Sequence, residues 1–244
     1  MDQQQRASAE VALVTGATSG IGRAVALKLA SDGFDVIVHG RDAERGAATV
    51  RAIEEEGGHA RFVAADLADV DEVTQLAEEA GDVDVLVNNG GFSWFGPTAD
   101  LDISTFDALF ASNVRSAYQL VAAIAPGMAS RGHGSIVSLD SMAGHVGLAG
   151  GAAYGATKAA LSALSRAWAA EFSPAGVRVN TVAPGPVYTD GASRERTEQL
   201  GKTTLTGRAA HVDEIADVIA FVASDKASYL TGAVIPVDGG RTAV

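Results

Sequence analysis

Short apolar runs alternate with longer amphipathic ones along almost the whole chain. The runs VALVTG (11–16), FDVIVHG (34–40), HARFVAADL (59–67) and VDVLVNNGG (83–91) are rich in valine and isoleucine. Apolar runs of this length read as strands buried on both faces. Between them, IGRAVALKLASDG (21–33), RDAERGAATVRAIEEEGG (41–58) and ADVDEVTQLAEEAG (68–81) have helical spacing and end in glycine. The second half repeats the alternation. A long helix over 104–132 precedes the strand GSIVSLDS (134–141), and a helix over 154–172 precedes the strand VRVNTVAPG (177–185). A helix over 211–224 leads to the last strand, GAVIPVDGG (232–240). Such alternation predicts βαβ units. The fold class is therefore α/β: one doubly wound domain over 10–244, with about seven parallel strands and helices on both faces. Residues 1–9 read as a polar tail. Segment 186–207 is polar and aperiodic, and predicts a flexible loop over the site.

Composition narrows the chemistry. The chain has 244 residues, a formal net charge of −12 and no cysteine. Thiolate zinc sites, disulfides and cysteine nucleophiles are excluded. The acidic balance argues against nucleic acid as a partner. The first residues lack the apolar core of a signal peptide, and no run is apolar enough to span a membrane. These features fit a cytoplasmic protein. No histidine pair has metal-ligand spacing, so no metal is expected, and each of the five histidines reads as a surface or loop residue.

Directly after the first strand comes TGATSGIG (15–22), with Gly16, Gly20 and Gly22 opening the first helix. Glycine permits a sharp turn and close approach of a ligand. The helix start offers free N–H groups to a pyrophosphate. Strand, glycine loop and helix together predict a dinucleotide site. Later come NN (Asn88, Asn89), Ser141, then Tyr154 with Lys158 four residues on, PGPVYTD and YLTGAVIPVDGG. In this order and spacing the sequence resembles the short-chain dehydrogenase/reductase family from Val11 to Gly240, with a Rossmann-type fold. Within the family it is similar to 3-oxoacyl-[acyl-carrier-protein] reductases and related ketoreductases.

The resemblance implies a cofactor held by Gly16, Thr18, Ser19, Gly20, Ile21 and Gly22, by Asp66, Leu67, Asn88 and Gly90, and by Tyr154, Lys158, Pro184, Gly185, Val187 and Thr189. Members that use NAD carry an acid at the end of the second strand. Here Gly40 and Arg41 stand there, and an arginine can fork onto a 2′-phosphate. The expected cofactor is NADP(H) rather than NAD(H). Gly90 replaces the family's usual alanine. Asp66 also reads as an N-cap of the following helix.

A phenol is a poor acid, with an ordinary pKa of about 10. A cation one helical turn away lowers it, which makes Lys158 a tuner for Tyr154. The resemblance gives Tyr154 the acid/base role, Ser141 the carbonyl oxygen and Asn113 a relay near the lysine. Asp140 departs from the frequent Ser-Ser, with consequences that depend on where β-structure ends.

Trp94, His145 and Tyr188, with Ser141 and Tyr154, are candidate substrate contacts. They are mostly aromatic, favouring an uncharged small-molecule carbonyl or alcohol. An acidic carrier protein is disfavoured by the charge, although Arg115, Arg131 and Arg166 could form a local basic patch. The resemblance implies a homo-oligomer, tetramer or dimer. The rivals to a ketoreductase are an NAD-dependent alcohol or sugar dehydrogenase of the same family and a non-catalytic dinucleotide-sensing regulator.

Overall fold

The computed structural model describes residues 9–243, so the polar tail lies outside the described residues except for Ala9. Seven strands form one parallel sheet in the order β3-β2-β1-β4-β5-β6-β7. They are β1 Val11–Val14, β2 Asp35–Gly40, β3 His59–Ala64, β4 Val85–Asn88, β5 Gly134–Leu139, β6 Val177–Pro184 and β7 Val234–Val237. The helices are α1 Gly20–Ser31, α2 Ala43–Glu55, α3 Val70–Ala80, α4 Ile103–Phe110, α5 Ser116–Arg131, α6 Ala152–Phe172, α7 Arg194–Gly201 and α8 Val212–Ala223.

Alternate residues of each central strand face opposite layers, because the strand period is two. Val14, Val38, Val87, Val137 and Val182 pack with Val25 and Leu29 of α1 and Ile215 and Ile219 of α8. Leu13, Ile37, Leu86, Ile136 and Val179 pack with Leu76 of α3, Leu120 and Ile124 of α5 and Trp168 of α6. The chain winds outward from β1 to β3, then crosses back to β4 beside β1. That reversal opens a crevice at the carboxyl ends of β1 and β4, where ligands bind in sheets of this type.

Within these elements the structure departs from the sequence reading at the 104–132 helix, the 186–207 loop and His39. The helix expected over 104–132 is interrupted by a π turn at Ala111–Arg115, which joins α4 to α5. The apolar period runs through the turn and so conceals it. The loop expected over 186–207 contains α7. Its sequence, RERTEQLG, buries only Thr197 and Gly201, so it carries no apolar stripe. The Ser193 cap and the Arg194–Glu198 pair at 3.1 Å hold it instead. Finally, His39 is not a surface residue: it lies in β2 and is 2% exposed.

Candidate active site

The glycine loop is braced from both neighbouring strands. On the β4 side, Thr15 Oγ1 accepts the amides of Asn89 at 3.0 Å and Gly90 at 2.8 Å. Asn89 Nδ2 donates to the Thr15 carbonyl at 2.8 Å. On the β2 side, the Gly16 amide donates to His39 Nδ1 at 3.2 Å. Gly16 and Gly20 have φ of +65° and +53°, the left-handed region that favours glycine. A Cβ on Gly22 would fall on the Gly16 carbonyl oxygen. Ser19 starts α1 without a side-chain cap, so the first-turn amides have no capping acceptor. This cradle suits a pyrophosphate.

The crevice above the loop has a volume of about 610 Å³. Thr18, Ser19, Ile21, Arg41, Asp66, Leu67, Gly90 and Thr189 line it, together with Arg45, which the sequence reading did not single out. Gly40 leaves room for Thr18, whose methyl would collide with a Cβ there. Asp42 caps α2 and also accepts from Arg45 Nε at 2.8 Å. Asp42 is thus committed to its helix, while Arg41 is largely exposed and lies 3.8 Å from Asp66. Asp66 Oδ1 accepts from the Ala68 amide at 2.9 Å, and the N-cap of α3 is Asp69. Thr189, after β6, reaches across to Gly20. Val187 is buried and pairs with Ala210. Asn88 does not line the crevice. Its side chain is buried in register with Ser138, and Ser138 with Thr181, forming a polar row across three strands.

A second cleft of about 560 Å³ shares Ile21, Asn89, Gly91 and Phe92 with the first. At its inner end stand Ser141, Tyr154 and Lys158. Helical spacing sets Lys158 Nζ 5.7 Å from the centre of the Tyr154 ring. Contrary to the lowering expected from Lys158, burial pushes the phenol up to about 12, against a lowering contribution from Ser141. The phenol is therefore protonated throughout the neutral range. Lys158 Nζ donates to the Leu139 carbonyl at 2.7 Å. Burial pulls its pKa down to about 8, with Asp140 acting in the opposite sense. Asn113 lies in the π turn. Its Nδ2 donates to the Phe92 carbonyl at 2.9 Å and to Thr157 Oγ1 at 3.1 Å, and its Oδ1 accepts from the Phe92 amide at 3.0 Å. It ties the cleft wall to α6.

Comparison with known proteins agrees with this architecture. The family described as Enoyl-(Acyl carrier protein) reductase matches residues 16–242. The chain is 37% identical to the 3-oxoacyl-[acyl-carrier-protein] reductase FabG of Staphylococcus aureus, over 94% of this chain and 96% of that one. A solved short chain dehydrogenase/reductase family protein is 50% identical with a TM-score of 0.89, covering 96% of this chain and 98% of its own. The gluconate 5-dehydrogenase of Burkholderia cenocepacia J2315, solved with NADP and tartrate, is 30% identical with a TM-score of 0.90, covering 98% and 97%. The chain belongs to the short-chain dehydrogenase/reductase family.

As a short-chain dehydrogenase/reductase it is an oxidoreductase, and its departures from the usual pattern have structural explanations. β5 ends at Leu139, yet the Asp140 amide still donates to the Val182 carbonyl at 2.9 Å. This keeps the Asp140 side chain on the α6 side. There it accepts from Ser162 Oγ at 2.5 Å and meets His145 Nε2 at 2.6 Å. Its charge raises the pKa of both Tyr154 and Lys158. Gly90 sits under Leu67, whose Cδ1 a Cβ would meet at 2.5 Å. Among the candidate substrate residues, Ser141 and Tyr154 line the second cleft, but Trp94, His145 and Tyr188 do not. Trp94 packs against Gly96, His145 is held by Asp140, and the Tyr188 ring lies tilted against His211 at 5.4 Å. Phe92, Phe95, Leu148 and Leu200 provide the apolar wall instead. Of the arginines read as a basic patch, Arg131 pairs with Asp82 at 2.8 Å and Asp84 at 3.3 Å, and Arg115 donates to the Ala68 carbonyl.

Proposed function

We propose that this protein is an NADP(H)-dependent ketoreductase that interconverts a small carbonyl compound and its secondary alcohol. The observation that carries the reading is the placement of Tyr154 with Ser141 and Lys158 in the second cleft, which shares Ile21, Asn89, Gly91 and Phe92 with the crevice above the glycine loop. A bound nicotinamide supplies the hydride to the carbonyl carbon. Ser141 Oγ orients the carbonyl oxygen, and Tyr154 gives that oxygen its proton. Lys158 holds positive charge beside the phenolate left behind, which stabilises it until solvent returns the proton. The Tyr154, Ser141 and Lys158 arrangement favours an enzyme over a dinucleotide-sensing regulator.

The NADP(H) choice rests on Arg41 and Arg45 at the end of β2, with Asp42 engaged by its own helix. The gluconate 5-dehydrogenase solved with NADP supports the same reading. Among the described residues no helix is long and apolar enough to cross a membrane. We also propose a homo-oligomer, dimer or tetramer. Ile103, Phe106 and Tyr118 are exposed on α4 and α5, an apolar surface suited to a second copy. The test is a panel of ketones and alcohols with each nicotinamide, followed by its absorbance. No turnover with any ketone or alcohol would sink the reading.

A further inference from the structure

Between its polar inner end and its mouth, the second cleft is walled by Phe92, Phe95, Leu148 and Leu200. Three charged residues line it: Asp140, Lys158 and Arg196. Asp140 and Lys158 are buried at the inner end, and their polar atoms meet Ser162, His145 and the Leu139 carbonyl. Arg196 is different. It stands on α7, exposed, with its guanidinium 4.6 Å above the centre of the Phe95 ring. The Phe95 ring in turn lies 5.4 Å from the Tyr154 ring. Its neighbours on the helix and beyond are paired, Arg194 with Glu198 and Arg208 with Glu214. Among the described residues no carboxylate forms an ion pair with Arg196. Stacking on a phenyl face fixes the plane of a guanidinium while leaving its edge N–H groups free to donate.

We infer that Arg196 reads a carboxylate on the substrate, one aromatic ring beyond the reacting carbonyl, so that the preferred substrate is a short oxo acid or the matching hydroxy acid. The inference rests on the catalytic reading of Tyr154 above and departs from the sequence expectation of an uncharged ketone. A carboxylate satisfies two guanidinium N–H groups at once, and the apolar wall between Phe95, Leu148 and Leu200 suits the intervening methylenes. The phosphate of a phosphopantetheine arm is the other anion a ketoreductase substrate could carry. That arm spans far more than one ring between phosphate and acyl carbonyl, so its phosphate would pass Arg196. The anion belongs on the same small molecule as the carbonyl.

The test compares 5-oxohexanoate with its methyl ester, which differ in charge and little in shape. Binding is measured by calorimetry with oxidised cofactor present, a combination that cannot turn over. The wild type should bind the acid roughly 10- to 100-fold more tightly than the ester, the range for a hydrogen-bonded charge. Arg196→Met should abolish the preference and leave the ester unchanged, and Arg196→Lys should restore part of it. Equal binding of acid and ester by the wild type, or binding of neither, overturns the inference. So does an equal loss for both in Arg196→Met, which would make Arg196 only a latch for α7. Turnover of the same pair with reduced cofactor is scored separately. A binding preference without reduction of any carbonyl defeats the proposed function but not the carboxylate site, whereas equal reduction of acid and ester does the reverse.

Discussion

His39 Nδ1 accepts the amide hydrogen of Gly16 at 3.2 Å, while Nε2 of the same ring faces the Ala65 carbonyl at 3.1 Å. Only a neutral ring with its proton on Nε2 can satisfy both contacts. Burial pulls the pKa of His39 from 6.5 down to about 4. The unfolded chain therefore binds more protons than the folded one between these values. The associated stability is fully present above about 6.5 and is lost as the pH falls through about 4, by about 3 kcal/mol at most. Calorimetric melting across this window should show a fall in Tm that His39→Gln reduces. Cofactor affinity should weaken only as the pH falls through about 4, where protonation of the folded ring takes away the acceptor of the glycine loop. An identical acid profile in the variant would count against this account.

Tyr154→Phe removes the proton donor and little volume. We expect kcat to fall roughly 10²- to 10⁴-fold, the usual worth of a general acid. Cofactor binding, read by fluorescence titration, should stay near the wild-type value. Near-normal turnover would remove Tyr154 from the chemistry.

Lys158 fixes the alkaline limit. Its ammonium form, which supports the phenolate, is lost as the pH rises through about 8 in the free enzyme. The kcat/KM for carbonyl reduction should decline through that region, because this parameter reports the free enzyme. Asp140 raises the pKa of Lys158, so Asp140→Asn should move the decline to lower pH. A profile that keeps its position in the folded variant would show that the Asp140 charge does not reach the lysine.

The cofactor preference should follow the two arginines at the β2 end. Arg41→Ala and Arg45→Ala should each raise KM for NADPH, by roughly tenfold or more for a charge-assisted contact, and leave KM for NADH little changed. Parallel losses with both nicotinamides would point to damage at the adenosine end in general.

The strands and the glycine loop were legible because their signals are local. Val11–Val14 or Val85–Asn88 can only be apolar if both faces are covered, and glycine at 16 and 20 follows from left-handed backbone. The spacing of Tyr154 and Lys158 was equally local. Residues whose role depends on a distant partner stayed hidden. Nothing near His39 in sequence announces its bond to Gly16, 23 residues away. Asn113 was legible only through the family resemblance; its bonds to Phe92 and Thr157 were not. Trp94 is an aromatic just after the fourth strand, yet it is Phe95, one residue on, that faces Tyr154. Arg196 was concealed for the same reason as α7: a helix polar on every side has no period to detect.

That polar helix makes entry to the reaction chamber a small folding problem. α7 is two turns long, and one serine cap and an exposed ion pair contribute much of its local support. Helices so short are marginal on their own, and segments with few buried contacts open well below the global unfolding free energy. The wall bearing Arg196 and Leu200 is therefore expected to open at a lower free energy than the sheet. Mild urea should loosen the substrate gate long before it disturbs the floor on which Tyr154 stands, and substrate capture should become sensitive to residues such as Gln199 that touch no ligand.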